Sequence, residues 1–471
     1  MKLGALTGGA EAAVVTGFAI DHRKVAPGTI FGAFRGTRFN GEDFIGDAVK
    51  SGAIAIVAAP DAKVEGAVHI AAENPREKFA QLAAQFFAPF PATAVAVTGT
   101  NGKTSTVEMT RQLWRMAGEH AASIGTLGVT TADESVYTGL TTPDIATFLS
   151  NVAGLAREGV THLAFEASSH GLTQYRTEGL PVAAAAFTNL SRDHLDYHGD
   201  MAAYFCAKLR LFADVLDPDG VSVIWVDDPN ADRVIDIARV RGNRIVSVGE
   251  HGDTLRLVSR DPTLLGQGLV IEAEGAQHKV MLPLIGAYQA ANALVAAGLV
   301  IATGGDVATT IANLSRLQPV RGRLERAVIT RSGAPVYVDY AHTPDALEAA
   351  IAALKPHAKG RLIVVFGAGG DRDTGKREPM GTVARQGADL AIVTDDNPRT
   401  EDAAAIRAEI LKGCPDAIEV AGRREAIALA IAEAGPEDIV LIAGKGHEQG
   451  QIVGDLVLPF DDVTVARECA A

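Results

Sequence analysis

Short, nearly continuous apolar runs recur along this chain, most of them followed by a polar or glycine-bearing loop. Runs of this kind lie at residues 53–58, 94–97, 162–165, 182–187, 221–226, 335–338, 362–366, 390–394 and 439–443. Strands buried on both faces read this way, without strict alternation. Between them, apolar residues fall at helical spacing over 75–87, about 106–117, 403–411 and 424–433. Alternation of the two patterns predicts an α/β protein with mostly parallel sheets and crossover helices. Proline-bearing breaks at 88–91 and 318–320 divide it into three expected domains. These are a small α/β unit over 1–88, a central α/β unit over 89–319 and a Rossmann-like α/β unit over 320–471.

The run at 94–97 carries the strongest chemical signal, because it leads into Gly99-Thr100-Asn101-Gly102-Lys103-Thr104-Ser105 and then a helix. Glycines let backbone N–H groups approach phosphate oxygens, and a helix N-terminus adds favourable partial charge. Lys103 is placed to reach β/γ-phosphates, and a hydroxyl at Thr104 or Ser105 to hold Mg²⁺. Val97 occupies the position where the strict phosphate-loop pattern has its first glycine, so this is a compressed variant. The central unit is therefore expected to be a mononucleotide-binding domain of the phosphate-loop type.

Composition narrows the setting. With 471 residues, 47% apolar and 21% charged, the chain has material for several packed domains. A net charge of −14 argues against nucleic acid as the default partner. Three widely separated cysteines, Cys206, Cys414 and Cys469, show no metal-ligand spacing and suit a reducing cytoplasm. No apolar run is long enough to cross a bilayer, so no membrane association is expected.

Further candidate chemistry sits just after other apolar runs, where open α/β sheets bind ligands. Glu166 ends one run and is a natural Mg²⁺ ligand beside a triphosphate loop. The segment 188–198 is dense in polar and ionisable groups, among them His194. Asp339 and His342 follow the run at 335–338, and a glycine-rich segment with Arg372 follows 362–366. Asp396-Asn397-Pro398-Arg399 and Gly444-Lys445-Gly446-His447-Glu448 follow two successive runs. An arginine and a carboxylate converging there suit a ligand carrying both a carboxylate and an ammonium group. Lys208 and Arg210 interrupt an apolar helical stripe at 207–212, which on pattern alone reads as a solvated helix face.

Taken in order, these motifs resemble the Mur ligase family, the ATP-dependent amino-acid-adding enzymes of peptidoglycan synthesis. The resemblance rests on the phosphate loop, Leu140-Thr141-Thr142-Pro143, the segments 166–172 and 188–198, Gly322-Arg323-Leu324-Glu325, the segments 339–345 and 369–373, and the motifs ending at Arg399 and Glu448. It implies an N-terminal domain that binds UDP, a central ATP-binding domain and a C-terminal amino-acid-binding domain. It implies a cytoplasmic, monomeric enzyme with ATP and Mg²⁺ as cofactors. The motif at Asp396–Arg399 is similar to that of the branch adding meso-2,6-diaminopimelate, rather than L-lysine, to UDP-N-acetylmuramoyl-L-alanyl-D-glutamate. By position, Gly99 to Ser105, Asn292, Arg323, Asp339 and His342 would contact ATP. His22, Thr141, Thr142, Ser168, Gln174 and Arg176 would contact the UDP-muramoyl-dipeptide. Arg372, Asp396, Asn397, Pro398, Arg399, Gly444 and Glu448 would hold diaminopimelate. Thr104, Glu166, His194 and a carbamylated Lys208 (N6-carboxylysine) would serve the metal ions, with Lys103, Glu166, His194 and Lys208 catalytic. The family usually has Asp-Ser-Arg where this chain has Asp21-His22-Arg23. The rival readings are an L-lysine-adding homologue, a ligase like folylpolyglutamate synthetase, and a nucleotide-binding regulator without ligase activity.

Overall fold

A computed structural model describes residues 1–36, 39–132, 134–136 and 140–471. The chain divides into two compact units, Met1–Thr254 with Val295–Asp306, and Leu255–Leu294 with Val307–Ala471.

The first unit begins with a parallel sheet of Gly17–Ala19, Thr29–Gly32, Ala55–Ala58 and Val68–Ala71, in that order. One face packs Phe31, Ile45 and Ile56. The other packs Ile30 and Val57 against Phe79 of the helix Pro75–Phe87. That helix starts where its sequence says it should: Pro75 fixes the first turn and the Asn74 side chain accepts from the Glu77 N–H.

The same unit contains parallel strands ordered Arg244–Gly249, Val221–Trp225, Ala184–Phe187, Thr93–Thr98, His162–Glu166 and Ala121–Gly125. Thr93–Thr98 is an inner strand, so its C-terminal loop lies between the loops following Ala184–Phe187 and His162–Glu166. The helix expected from about residue 106 begins at Lys103, with Gly102 capping it at φ +85°. Its first turn belongs to the phosphate loop itself, where threonine and serine obscure the apolar period but leave the N–H groups free to point at an anion.

The second unit holds an antiparallel meander, Leu255–Thr263, Gly266–Ala273 and Ala276–Leu282, whose sequence lacks the longer apolar runs of the parallel strands. Its strands alternate buried and exposed positions, as a sheet with one solvated face does. Beside it in sequence is a six-stranded sheet ordered Glu325–Ile329, Pro335–Asp339, Ile439–Ala443, Leu362–Phe366, Leu390–Val393 and Ile418–Glu419. Only the first pairing is antiparallel. The inner strands Ile439–Ala443 and Leu362–Phe366 are buried along their whole length, between two hydrophobic clusters. The strands ending before Asp396 and Gly444 are therefore not neighbours, because Leu362–Phe366 lies between them. Among the described residues, no helix is long and apolar enough to cross a membrane.

Candidate active site

In the first unit, backbone conformation shapes the phosphate loop. Gly99 has φ +148°, and a Cβ there would strike the Thr188 hydroxyl, so the loop closes only with glycine. The strand-end segment that follows Phe187 buttresses it. Thr100 N–H donates to Asn189 O at 2.9 Å, Asn101 N–H to Asn189 Oδ1 at 2.9 Å, and Thr188 Oγ1 to Asn101 O at 2.6 Å. Lys103 Nζ donates to Gly99 O at 3.0 Å and Thr100 O at 2.8 Å, folded back over the loop it would share with a phosphate. Thr104 and Ser105 are buried in the first helical turn.

Lys208 is 1% exposed, which corrects the solvated-face reading of residues 207–212. Its Nζ donates to Gly99 O at 2.7 Å and lies 4.4 Å from the centre of the Tyr204 ring. Burial, with the charge of Lys103 adding to it, holds the amine well below the ordinary lysine range. Tyr204, also buried, donates to Thr100 Oγ1 at 3.2 Å.

Glu166 is 2% exposed and accepts from Thr126 N–H at 2.7 Å and Thr126 Oγ1 at 3.3 Å. Thr126 Oγ1 in turn lies 3.1 Å from Thr141 Oγ1. Thr142 Oγ1 donates to Glu166 O at 2.9 Å and lies 3.0 Å from Ser168 Oγ. Arg176 reaches Thr142 O at 2.9 Å and Gln174 Oε1 at 2.7 Å. The expected substrate contacts Thr141, Thr142, Ser168, Gln174 and Arg176 thus form one connected polar network with Glu166. His22 lies elsewhere in this unit, its ring stacked on Phe44 at 4.4 Å.

His194, at φ +53°, joins a ring cluster with His170 and Tyr197. Burial, reinforced by His194 and His198, lowers His170 to about 4, so it is neutral at pH 7. Among the described residues no three His, Cys, Asp or Glu side chains form a metal cluster.

In the second unit, side chains build the site. Asp396 and Asn397 are buried where the strand Leu390–Val393 ends. Asn397 Nδ2 donates to Glu448 Oε2 at 2.9 Å, while its Oδ1 accepts from Lys445 Nζ and Ile452 N–H, both at 2.9 Å. Arg399, at φ +53°, donates to Gly370 O at 2.7 Å, close in sequence to the exposed Arg372. Gly444 has φ +118°, and a Cβ there would press on the Asp396 carboxylate. A wholly buried ion pair, Arg423–Asp462 at 2.7 Å, anchors the same strand end, with Arg423 Nη2 on Ala443 O at 3.0 Å.

Also in this unit, Asp339 accepts from Leu324 N–H at 2.7 Å, and burial raises it to about 6 against the pull of Arg323. The Arg323 guanidinium sits 5.1 Å from the Tyr340 ring centre. His342 lies 2.8 Å from Tyr340 O, and burial lowers its pKa. Asn292 is buried and donates to Gln289 Oε1 at 3.4 Å. The residues expected at ATP are thus divided: Gly99 to Ser105 belong to the first unit, and Asn292, Arg323, Asp339 and His342 to the second.

Three family models match the chain consecutively: "Mur ligase family, catalytic domain" over residues 14–97, "Mur ligase middle domain" over 97–300, and "Mur ligase, glutamate ligase domain" over 322–446. This chain belongs to the Mur ligase family. Among curated Mur ligases it is similar to the UDP-N-acetylmuramoyl-L-alanyl-D-glutamate--2,6-diaminopimelate ligase of Zymomonas mobilis, at 60% identity over 96% of this chain and 94% of the relative. The enzyme of the same name from Bradyrhizobium diazoefficiens is 52% identical over 95% and 93%. A solved structure of a UDP-N-acetylmuramoyl-L-alanyl-D-glutamate--2,6-diaminopimelate ligase superposes with a TM-score of 0.76 at 32% identity, covering 100% of this chain and 98% of that one. A Thermotoga maritima MurF ligase in complex with ADP shares the fold, with a TM-score of 0.61 at 20% identity over 93% and 96%.

Sequence reasoning about this Mur ligase missed Thr126, Tyr204 and Lys445, which contact Glu166, Thr100 and Glu448 respectively. Lys445 lies inside the motif that ends at Glu448, and its charge was the available signal. Thr126 and Tyr204 carry no local signal, since a turn threonine and a helical tyrosine usually serve packing.

Proposed function

We propose that this chain is an ATP-dependent ligase joining meso-2,6-diaminopimelate to UDP-N-acetylmuramoyl-L-alanyl-D-glutamate, a step in peptidoglycan precursor synthesis. The observation that carries the reading is the pairing of a buttressed phosphate loop with a separate strand-end set of Arg399, Asn397 and Glu448. Such a set can take a ligand bearing both a carboxylate and an ammonium. The names of relatives up to 60% identical over nearly the whole chain support the substrate pair. The three successive family matches fit a three-domain chain, which we divide at 1–88, 89–319 and 320–471. A cytoplasmic monomer suits soluble nucleotide and amino-acid substrates.

In this mechanism the γ-carboxylate of D-glutamate attacks the γ-phosphorus of ATP, and ADP leaves. The amine of diaminopimelate then attacks the acyl phosphate carbonyl, loses a proton and expels inorganic phosphate. Gly99 to Ser105 cradle the triphosphate, and Lys103 turns from the loop carbonyls to the transferring phosphoryl group. Asn292, Arg323, Asp339 and His342 serve the rest of ATP. His22, Thr141, Thr142, Ser168, Gln174 and Arg176 hold the UDP-muramoyl-dipeptide, and Arg372, Asp396, Asn397, Pro398, Arg399, Gly444 and Glu448 the incoming amino acid.

The hydroxyl of Thr104 and the buried carboxylate of Glu166 are hard oxygen donors that fit Mg²⁺, which keeps phosphates and waters for its other positions. When bound, Mg²⁺ neutralises charge on the phosphates. Lys208 cannot be a ligand as an ammonium, but burial lowers its pKa, and in its neutral form the amine can attack CO₂ and lose a proton to become a carbamate, an oxygen donor for the metal ions that His194 would also serve. The deciding test is ADP release by the purified protein. It should require the UDP-muramoyl-dipeptide and diaminopimelate together, and release needing neither would overturn the reading.

A further inference from the structure

Glu448 and Asn397 stand at the centre of the proposed amino-acid site, yet neither is held by the strands that deliver them. Both lie in loops beyond strand ends, where side chains ordinarily sample several rotamers. What fixes them is Lys445, whose side chain has no solvent exposure. Its Nζ donates to Asn397 Oδ1 at 2.9 Å and to Glu448 Oε2 at 3.3 Å. The Asn397 amide then has one usable orientation. Its oxygen faces the ammonium and the Ile452 N–H, and its Nδ2 donates to the same Glu448 oxygen at 2.9 Å. All of these contacts to Glu448 fall on Oε2, so the carboxylate is gripped on one side only.

An ammonium withdrawn from water is costly unless it is paired and hydrogen-bonded. A packing role alone would be filled at lower cost by methionine or leucine. The retained charge has a use that packing does not. It balances Glu448 and aims its second oxygen, and it aligns the asparagine beside it.

Resting on the functional reading above, we infer that Lys445 is a positioning residue for the incoming amino acid, setting the geometry of Asn397 and Glu448 without touching the reacting atoms. It governs how well the ammonium-bearing substrate binds and leaves the phosphate chemistry alone.

Steady-state kinetics of the full-length enzyme, varying each substrate in turn, test this. Lys445→Met should raise the KM for meso-diaminopimelate by about 10- to 100-fold, the range expected for losing a hydrogen bond to a charged group. The KM for ATP should stay within about twofold, and kcat at saturating amino acid should fall far less than the amino-acid KM rises. Lys445→Arg, which keeps the charge, should recover most of the loss. If the methionine variant does not fold, Lys445→Gln decides by the same split, since it keeps a donor toward Asn397 but not the charge. An unchanged amino-acid KM in the folded neutral variant, or equal losses in all three KM values, would overturn the assignment. A wild type that fails to ligate diaminopimelate refutes the functional reading instead, so the two failures are distinguishable.

Discussion

Two lysines, one in each unit, are buried in different surroundings. Lys208 faces a backbone carbonyl and an aromatic ring, with a second lysine nearby, and burial drives it toward the neutral amine. Lys445 is equally buried but sits against the Glu448 carboxylate and the Asn397 amide oxygen. A neutral buried amine is a nucleophile open to modification, whereas a paired ammonium is a fixed part of a binding site. The regions around them differ in the same sense. Backbone shape makes the phosphate loop, with Lys103 resting on its own carbonyls. Side chains answering side chains make the proposed amino-acid site.

If that contrast holds, the side-chain site should discriminate most sharply. Wild-type enzyme should prefer meso-diaminopimelate to L-lysine by as much as roughly 10⁴-fold in kcat/KM. Lysine lacks the distal carboxylate and would leave Arg399 without the substrate partner proposed for it. Comparable kcat/KM for the two amino acids would refute the diaminopimelate assignment while leaving a ligase.

On the backbone-built side, Lys103→Ala should lower kcat by about 10²- to 10³-fold, by analogy with a lost oxyanion donor, with the fold intact by circular dichroism. An unchanged rate would remove Lys103 from the chemistry. Lys208→Ala should cost roughly 10- to 100-fold, the scale for groups that tune a metal site. Depleting CO₂ should slow the wild type, with bicarbonate restoring it, and the alanine variant should respond to neither. A bicarbonate-insensitive wild type would mean that Lys208 acts as a plain amine.

The contrast also explains what was legible in the sequence. Glycines that must adopt φ +148° at Gly99 and +85° at Gly102 leave a written trace, because few other residues substitute there. The inner strands of the second unit were equally plain, since burial on both faces writes an unbroken apolar run. The meander from Leu255 to Leu282 escaped because its strands alternate, with one face in water. Lys208 misled on pattern alone: a lysine in an apolar helical stripe usually extends its ammonium into water. Here Tyr204, one helical turn away, and the phosphate loop, far away in sequence, close over it. Partners such as Thr126 to Glu166, separated by 40 residues, leave no local trace.

Asp339 gives the smallest and most quantitative check on how buried charge is handled, because its surroundings share a feature with each lysine. Like Lys445 it has an opposite charge near, Arg323, and a hydrogen bond, from Leu324 N–H. Like Lys208 it is nonetheless pushed toward its neutral form, from 3.8 to about 6, with burial the largest cause. A carboxylate whose folded pKa is raised binds its proton more tightly in the native state than in the unfolded one. The contribution of Asp339 to wild-type stability should therefore fall as pH rises from about 4 to about 6, and the loss should be constant above that window. Asp339→Asn cannot ionise and keeps an oxygen for Leu324 N–H, so it lacks this term. The Tm difference, variant minus wild type, should grow across that interval by several degrees, on the scale of up to about 3 kcal/mol for a shift of this size, and then level off. A difference that is flat from pH 4 to 7 would mean that Arg323 compensates the buried carboxylate fully.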